Sequence, residues 1–110
     1  RDVERSRGLG DVYKRQIDDH AGEQETSVMM HYHPELVNLD EAGDGDSKPF
    51  AISSLNEKVG WAPRHWDKAT VDSGVGNPKK ATAEKGERYV KPIIEKLAKL
   101  FTEVGQGELY

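Results

Sequence analysis

Apolar residues recur every three or four positions in the last third of the chain, from about Lys79 to Val104. Lys and Glu fill the other face, so the pattern predicts an amphipathic helix. Pro92 should kink this helix or mark a join between two helices, and Gly105 should end it. Burying the apolar face gains about as much free energy as ordering the helix costs, so the helix needs a sheet or another chain to pack against. The apolar positions are Val90, Ile93, Ile94, Leu97, Phe101 and Val104.

A shorter helix is predicted from Glu23 to His33, because Val28, Met29 and Tyr32 fall on one face of a 3.6-residue period. Acidic side chains near its start suit the positive end of the helix dipole. Pro34 cannot continue the hydrogen bonding, so the helix should end there in a turn.

The segments between the two helices are irregular by composition. Residues 40–49 predict a surface loop, Phe50–Ile52 a short strand, and residues 59–66 a non-helical stretch broken by Pro63. Asn77 followed by proline is typical of a helix start. The chain therefore reads as mostly helix and loop.

Residues 1–16, RDVERSRGLGDVYKRQ, follow neither a helical nor a strand period. They mix basic and acidic side chains and offer few apolar ones to bury, which predicts a disordered arm. The letters DVYKRQ also resemble translated sequencing-adapter read-through. In that case residues 1–16 are foreign, and residues 17–110 are the C-terminal part of one domain.

Composition narrows the class of protein. The chain has 110 residues, a net charge of −4 and no cysteine, which argues against a nucleic-acid binder and excludes disulfides. No apolar run approaches the roughly 18 residues that span a bilayer, and no signal peptide is visible. The expectation is a cytoplasmic domain without a membrane or nucleic-acid partner.

The richest chemistry lies in residues 18–40, DDHAGEQETSVMMHYHPELVNLD. His20, Glu23 and Glu25 could bind a divalent metal, but the spacing H-x-x-E-x-E matches no strong motif. The alternative is a helix start with favourable acids. His31 and His33 lie about 200° apart on a helix, so they should be surface residues.

Aromatic and glycine residues farther along offer weaker candidates. Trp61 and Trp66 either line a pocket or, as we favour, serve as core or subunit-contact residues. The run Gly74-Val75-Gly76 could hold an anion ahead of a helix, although it lacks the preceding strand of the known motifs.

Two blocks of this sequence resemble the creatininase (creatinine amidohydrolase) family. HAGEQETSVMM at residues 20–30, followed by PELVNLD at 34–40, is similar to the family's second signature. SGVGNP at 73–78 and ATAEKG at 81–86 are similar to a segment near the end of these proteins. The blocks occur in the family's order and span residues 18–104.

The resemblance implies an α/β fold with helices around a mainly parallel sheet, of which this chain is a fragment. It implies an enzyme that uses Zn, Mn or Fe to hydrolyse a small-molecule substrate at a cyclic amide, formamide or related C–N bond. It also implies a homo-oligomer, often a hexamer. The family's metal ligands lie upstream, so no metal ligand is assigned in this chain, and the fragment alone should be inactive.

Within the second signature, the resemblance makes His20 the catalytic residue that passes a proton at the substrate. Asp19 and Glu25 are expected to contact substrate or to orient the His20 ring. Glu25, Thr26 and Ser27 should hold the helix start and the His20 loop in place. The alternative function is a small non-catalytic module whose apolar helix and tryptophans serve oligomerisation.

Overall fold

The structure is a computed structural model that describes residues 18–110. Four α-helices follow in chain order: α1 (Glu23–Tyr32), α2 (Ser53–Asn56), α3 (Trp66–Ala69) and α4 (Ala83–Gln106). Three single-turn 3₁₀ segments separate them, at Pro34–Leu36, Leu39–Glu41 and Pro78–Lys80. Helices α1 and α4 pack against each other and carry the loops that form the clefts.

Helix α1 forms where the periodicity predicts it. Gly22 precedes it, and the Asp18 carboxylate caps its first turn by accepting from the Gln24 backbone N–H at 3.0 Å. A side chain on Gly22 would collide with that carboxylate, so glycine permits the cap. Pro34 begins the 3₁₀ turn after the helix, as predicted.

Helix α4 begins and ends later than its pattern predicts. Thr82 caps it by accepting from the Lys85 backbone N–H at 3.2 Å, so the helix starts at Ala83. Asn77 caps only the 3₁₀ turn before it. The helix continues through Pro92 and Gly105 to Gln106, so the predicted end at Gly105 is wrong.

The two long helices meet at their N-terminal halves. Gly86 of α4 lies against the Ser27 backbone of α1, where a side chain would not fit. The Ser27 hydroxyl accepts from the Thr82 backbone N–H at 3.2 Å, 55 residues away in sequence. Among the residues that the structure describes, the buried apolar side chains are Val75 and Ala81, a very small core.

The parallel sheet implied by the family is not found in residues 18–110, where β-pairing is limited to isolated bridges at His20–Val75 and Ser47–Thr70. The strand predicted at Phe50–Ile52 is wrong. The Asn56 side-chain amide binds both backbone groups of Phe50, accepting from its N–H at 3.0 Å and donating to its carbonyl at 2.7 Å. That pairing takes the place of a strand neighbour.

The apolar face of α4 lies open over the described part of the molecule. Its exposed side chains include Ile94, Leu97, Leu100, Phe101 and Val104. Helix α1 covers only the N-terminal half of α4, so the need for a partner on the remaining apolar face stays a prediction.

The predicted arm, residues 1–16, lies outside the described residues. Across residues 18–110, no helix has both the length and the apolar character needed to cross a membrane.

Candidate active site

His20 lies on the loop that enters α1, and a short antiparallel bridge fixes its backbone. The backbone N–H groups of Asp19 and His20 both donate to the Val75 carbonyl, at 2.8 and 2.9 Å. The Val75 N–H donates back to the His20 carbonyl at 2.8 Å, and Val75 is fully buried. The two sequence blocks that carry the family resemblance are thus joined at this bridge.

A tight turn leads from His20 into the helix. Ala21 adopts a left-handed backbone conformation with φ of 53°, which residues other than glycine rarely adopt. The Glu25 carboxylate accepts from the Ala21 N–H at 2.7 Å, and the Thr26 hydroxyl donates to the Ala21 carbonyl at 3.2 Å. Ser27 joins the same helix to α4 through Thr82. Glu25 and Thr26 therefore hold the Ala21 turn, and Ser27 anchors the helix to Thr82.

The His20 ring is 54% exposed and borders two side chains. Its Nδ1 lies 3.7 Å from Glu25 Oε1, beyond hydrogen-bond range but close enough for an ionic contact when the ring is protonated. The Trp66 ring meets it edge to face, with centroids 6.1 Å apart. These neighbours restrict the ring while leaving it accessible.

The Asp19 carboxylate has a partner that the sequence does not predict, and its expected role toward the substrate or the His20 ring stays a prediction. Its carboxylate pairs with the Arg64 guanidinium, which also lies over the Trp66 ring at 4.7 Å from the centroid. The sequence does not predict this pair, because Arg64 is 45 residues from Asp19 and no local pattern links the two.

His20 opens onto a cleft of about 420 Å³. Its walls combine polar groups from both sequence blocks with apolar groups from the segment after α1. A cleft of this size accommodates a small molecule or the end of a larger one. Residues along it include His20, Glu25, Met29, Leu36, Asp72 and Gly74.

The metal reading of His20, Glu23 and Glu25 fails on geometry. Glu23 is buried, and its Oε1 accepts from the Lys85 ammonium at 2.5 Å. Its Oε2 is buried without a hydrogen-bond partner, but no ligating side chain stands beside it to complete a site. Residues 18–110 contain no group of three or more His, Asp or Glu arranged to hold an ion, so they do not fit a dinuclear centre.

The structure also shows the contacts of two weaker candidates, the run Gly74-Val75-Gly76 and His33. The backbone N–H groups of Gly74, Val75 and Gly76 donate to Asp72, His20 and Gly45, so they are not available to an anion. His33 pairs with Glu35 at the surface.

The tryptophans divide between two environments. Trp61 is 86% exposed and borders a second cleft, so it is no core residue within the described part of the chain. Trp66 is half-buried, and its indole N–H donates to the Ser73 carbonyl at 2.8 Å. Only Trp66 touches the candidate site.

Comparison with known proteins identifies the class. The family model described as creatininase, creatinine amidohydrolase, matches residues 2–101, and the chain belongs to the creatininase family. The description of that family names an amidohydrolase.

Individual relatives agree with that class. A solved structure from Bacteroides fragilis NCTC 9343, described as a creatinine amidohydrolase, is 86% identical with a TM-score of 0.80, over 84% of this chain and 37% of that one. A mycofactocin precursor peptide peptidase from Mycolicibacterium smegmatis is 35% identical over 78 residues, 70% of this chain and 30% of the relative. Its counterpart from Mycobacterium ulcerans is 35% identical over 79 residues, 71% of this chain and 30% of the relative. The chain thus spans about a third of the length of the proteins it matches.

Proposed function

We propose that this chain carries the histidine side of the active site of a metal-dependent amidohydrolase, which cleaves a cyclic amide, formamide or related C–N bond. The observation that carries the proposal is the bridge between His20 and Val75, which presents an accessible imidazole at the mouth of a cleft. The names of the mycobacterial relatives add peptide bonds to the candidate C–N bonds.

His20 would act as the general acid. An amide nitrogen leaves poorly as an anion, so it must gain a proton as the C–N bond breaks. A protonated imidazole can donate that proton, and histidine changes charge near neutral pH. Glu25, whose Oε1 lies 3.7 Å from Nδ1, limits the rotation of the ring.

The metal ligands would come from outside residues 18–110, in a longer protein of the family. Zn, Mn or Fe there would supply the activated water that attacks the carbonyl. The contribution of the described residues is to shape the cleft, to hold His20 and to deliver the proton.

The test is to place His20→Gln and His20→Ala in a full-length protein of this sequence. Removing a general acid should lower kcat by about 10²–10⁴, with metal content unchanged. His33→Gln is the matched control, because His33 is also exposed and pairs only with Glu35 across residues 18–110. A wild-type kcat in His20→Gln, or loss of metal along with activity, would remove His20 from the proton-transfer step.

We also propose that the full-length protein is a homo-oligomer, with the hexamer as the family's expectation. The open apolar face of α4 supports this proposal, since such surfaces mark subunit contacts. The same surfaces are what a non-catalytic oligomerisation module would use. Metal analysis of the full-length protein separates the two functions, because the enzyme should hold about two ions per chain and the module none.

A further inference from the structure

A second cleft, of about 1220 Å³, is lined in part by Asp19 and Arg64 and is rich in positive charge. Asp19 is the one carboxylate among its described lining residues. The chain as a whole has a net charge of −4, whereas the side chains that line this cleft carry a net positive charge. The cationic side chains that line the cleft are Lys48, Lys58, Arg64 and Lys68.

Arg64 is the best-placed of these cations. Asp19 holds its guanidinium from one side and the Trp66 ring lies beneath it, so the fork is fixed before any ligand arrives. A guanidinium has five N–H donors, and its pairing with Asp19 leaves others unused. A fixed fork suits the two oxygens of a carboxylate. Across residues 18–110, no carboxylate lies within 4.0 Å of the Lys48, Lys58 or Lys68 ammonium groups that share the cleft.

Part of the lining of this cleft is apolar. Val59 and Trp61 line it with 78% and 86% of their surfaces exposed, and Phe50 lies beside them. The cleft also adjoins the candidate active site, because Asp19 lines this cleft while the next residue, His20, lines the other. A ligand with an anionic end and an apolar group could contact both the cationic and the apolar side chains of this cleft.

We propose that this cleft binds the carboxylate of the amide substrate, with Arg64 as the main contact and an apolar group of the substrate against Trp61. The proposal rests on the proposed function and narrows it. The substrate class becomes an amide that bears a carboxylate, such as the end of a peptide or an N-acyl amino acid. Arg64 acts here in binding and specificity rather than in proton transfer.

The test is a titration of the 110-residue chain with N-acetyl-L-leucine and with its neutral analogue N-acetyl-L-leucinamide. The chain has only two tryptophans, so the two indole N–H signals in an NMR spectrum report on this region. N-acetyl-L-leucine should shift both signals and bind about tenfold or more tightly than the amide, since a charge-assisted pair is lost in the amide. Equal binding of the two compounds would overturn the proposal.

Three variants test which residues bind the carboxylate, and inorganic phosphate tests whether the cleft selects carboxylates. Arg64→Gln should weaken N-acetyl-L-leucine by about tenfold, whereas Arg88→Gln, an exposed arginine on α4, should leave its binding unchanged. Because Arg64→Gln could disturb Trp66, Lys68→Gln tests the cleft with that stack intact and should weaken binding several-fold. Inorganic phosphate that binds as tightly as N-acetyl-L-leucine would mean a general anion site and would contradict carboxylate selectivity.

This binding experiment is independent of turnover. If His20→Gln left kcat unchanged while Arg64→Gln abolished carboxylate binding, the proton-transfer role would fall and the binding cleft would stand. If kcat depended on His20 but carboxylate and amide bound alike, the reverse would hold.

Discussion

Gly86 lies where α4 crosses α1, and its missing side chain sets how closely the two backbones approach. A β-carbon built there would lie 2.0 Å from the Ser27 carbonyl oxygen, far inside contact distance. The Ser27 hydroxyl donates to the Glu23 carbonyl at 2.6 Å, which restrains the backbone of α1 at this point. The interface that supports the His20 loop therefore depends on one glycine.

We predict that Gly86→Ala lowers the free energy of unfolding by about 1–3 kcal/mol or more, because the helices must separate to admit the methyl group. Gly105→Ala is the matched control on the same helix, since nothing lies within 4 Å of its added carbon. That substitution should raise the free energy of unfolding by roughly 0.5–1 kcal/mol. Urea denaturation of both variants measures the difference, and an unchanged midpoint for Gly86→Ala would show that the contact is not tight.

Asp44 provides a titration that follows from one contact. The hydrogen bond from the Lys79 ammonium, 2.6 Å from Asp44 Oδ1, and then its positive charge lower the pKa of Asp44 below its ordinary value of 3.8. A depressed carboxyl pKa means that the stabilisation is present above about pH 3.8 and disappears as the pH falls through the lowered value.

We predict that Lys79→Gln raises the pKa of Asp44 toward 3.8, because both effects of the ammonium are lost. A carboxyl-carbon NMR titration reads this directly. Lys80→Gln, an exposed neighbour, should leave the Asp44 titration where it is. A titration that Lys79→Gln fails to move would show that the ion pair does not persist in solution.

At the scale of elements, periodicity predicts the two long helices and the turn at Pro34, because a repeating apolar face is a local signal. It misplaces both ends of α4, because Thr82 rather than Asn77 is the cap and Gly105 is helical. The strand predicted at Phe50–Ile52 fails because strands depend on a neighbour, which no local pattern supplies. Helices α2 and α3 have four residues each, too short for a period to show.

The contact between α1 and α4 contains an ion pair that no local pattern reveals. Glu23 is 5% exposed and Lys85 is 38% exposed, with Lys85 Nζ also donating to the Lys80 carbonyl at 2.6 Å. The two residues are 62 positions apart in sequence, one in each family block. The pair therefore ties the start of one helix to the start of the other.

We predict a coupling free energy of about 1–3 kcal/mol between Glu23 and Lys85 in a double-mutant cycle with alanine, because Glu23 is desolvated. The exposed pair Lys99 and Glu103 on α4, 3.9 Å apart, is the control and should couple by about 0.3–0.5 kcal/mol. Similar coupling in the two pairs would mean that burial adds nothing at the helix junction.

At the scale of the whole molecule, the chain is open. Its radius of gyration is 17.4 Å, whereas about 13 Å is usual for a compact domain of 100 residues. The sequence predicts His20 at the site through its motif, and Glu25 beside it through proximity in the chain. The sequence does not predict that Arg64 and Trp66 lie near His20, because the segments that carry them are distant in the chain and meet only in the folded structure.

We predict that the 110-residue chain alone neither hydrolyses amides nor retains metal after dialysis, since residues 18–110 present no cluster of ligands for an ion. Atomic absorption on the dialysed protein and an ammonia-release assay test the two halves of this prediction. One or more equivalents of metal, lost in His20→Ala or Glu25→Ala, would show that these residues form a site of their own.

The bridge between His20 and Val75 also bears on how the chain acquires its site during synthesis. The long-range partners of the His20 loop and α1 include Val75, Thr82, Lys85 and Gly86, so the earlier block lacks these contacts until those residues have been made. Closing a loop of 55 residues carries an entropic cost that local contacts cannot offset in advance. Translation that halts before Gly86 would leave the segment from Asp18 to Asp40 complete in sequence but without the contacts that hold it in place.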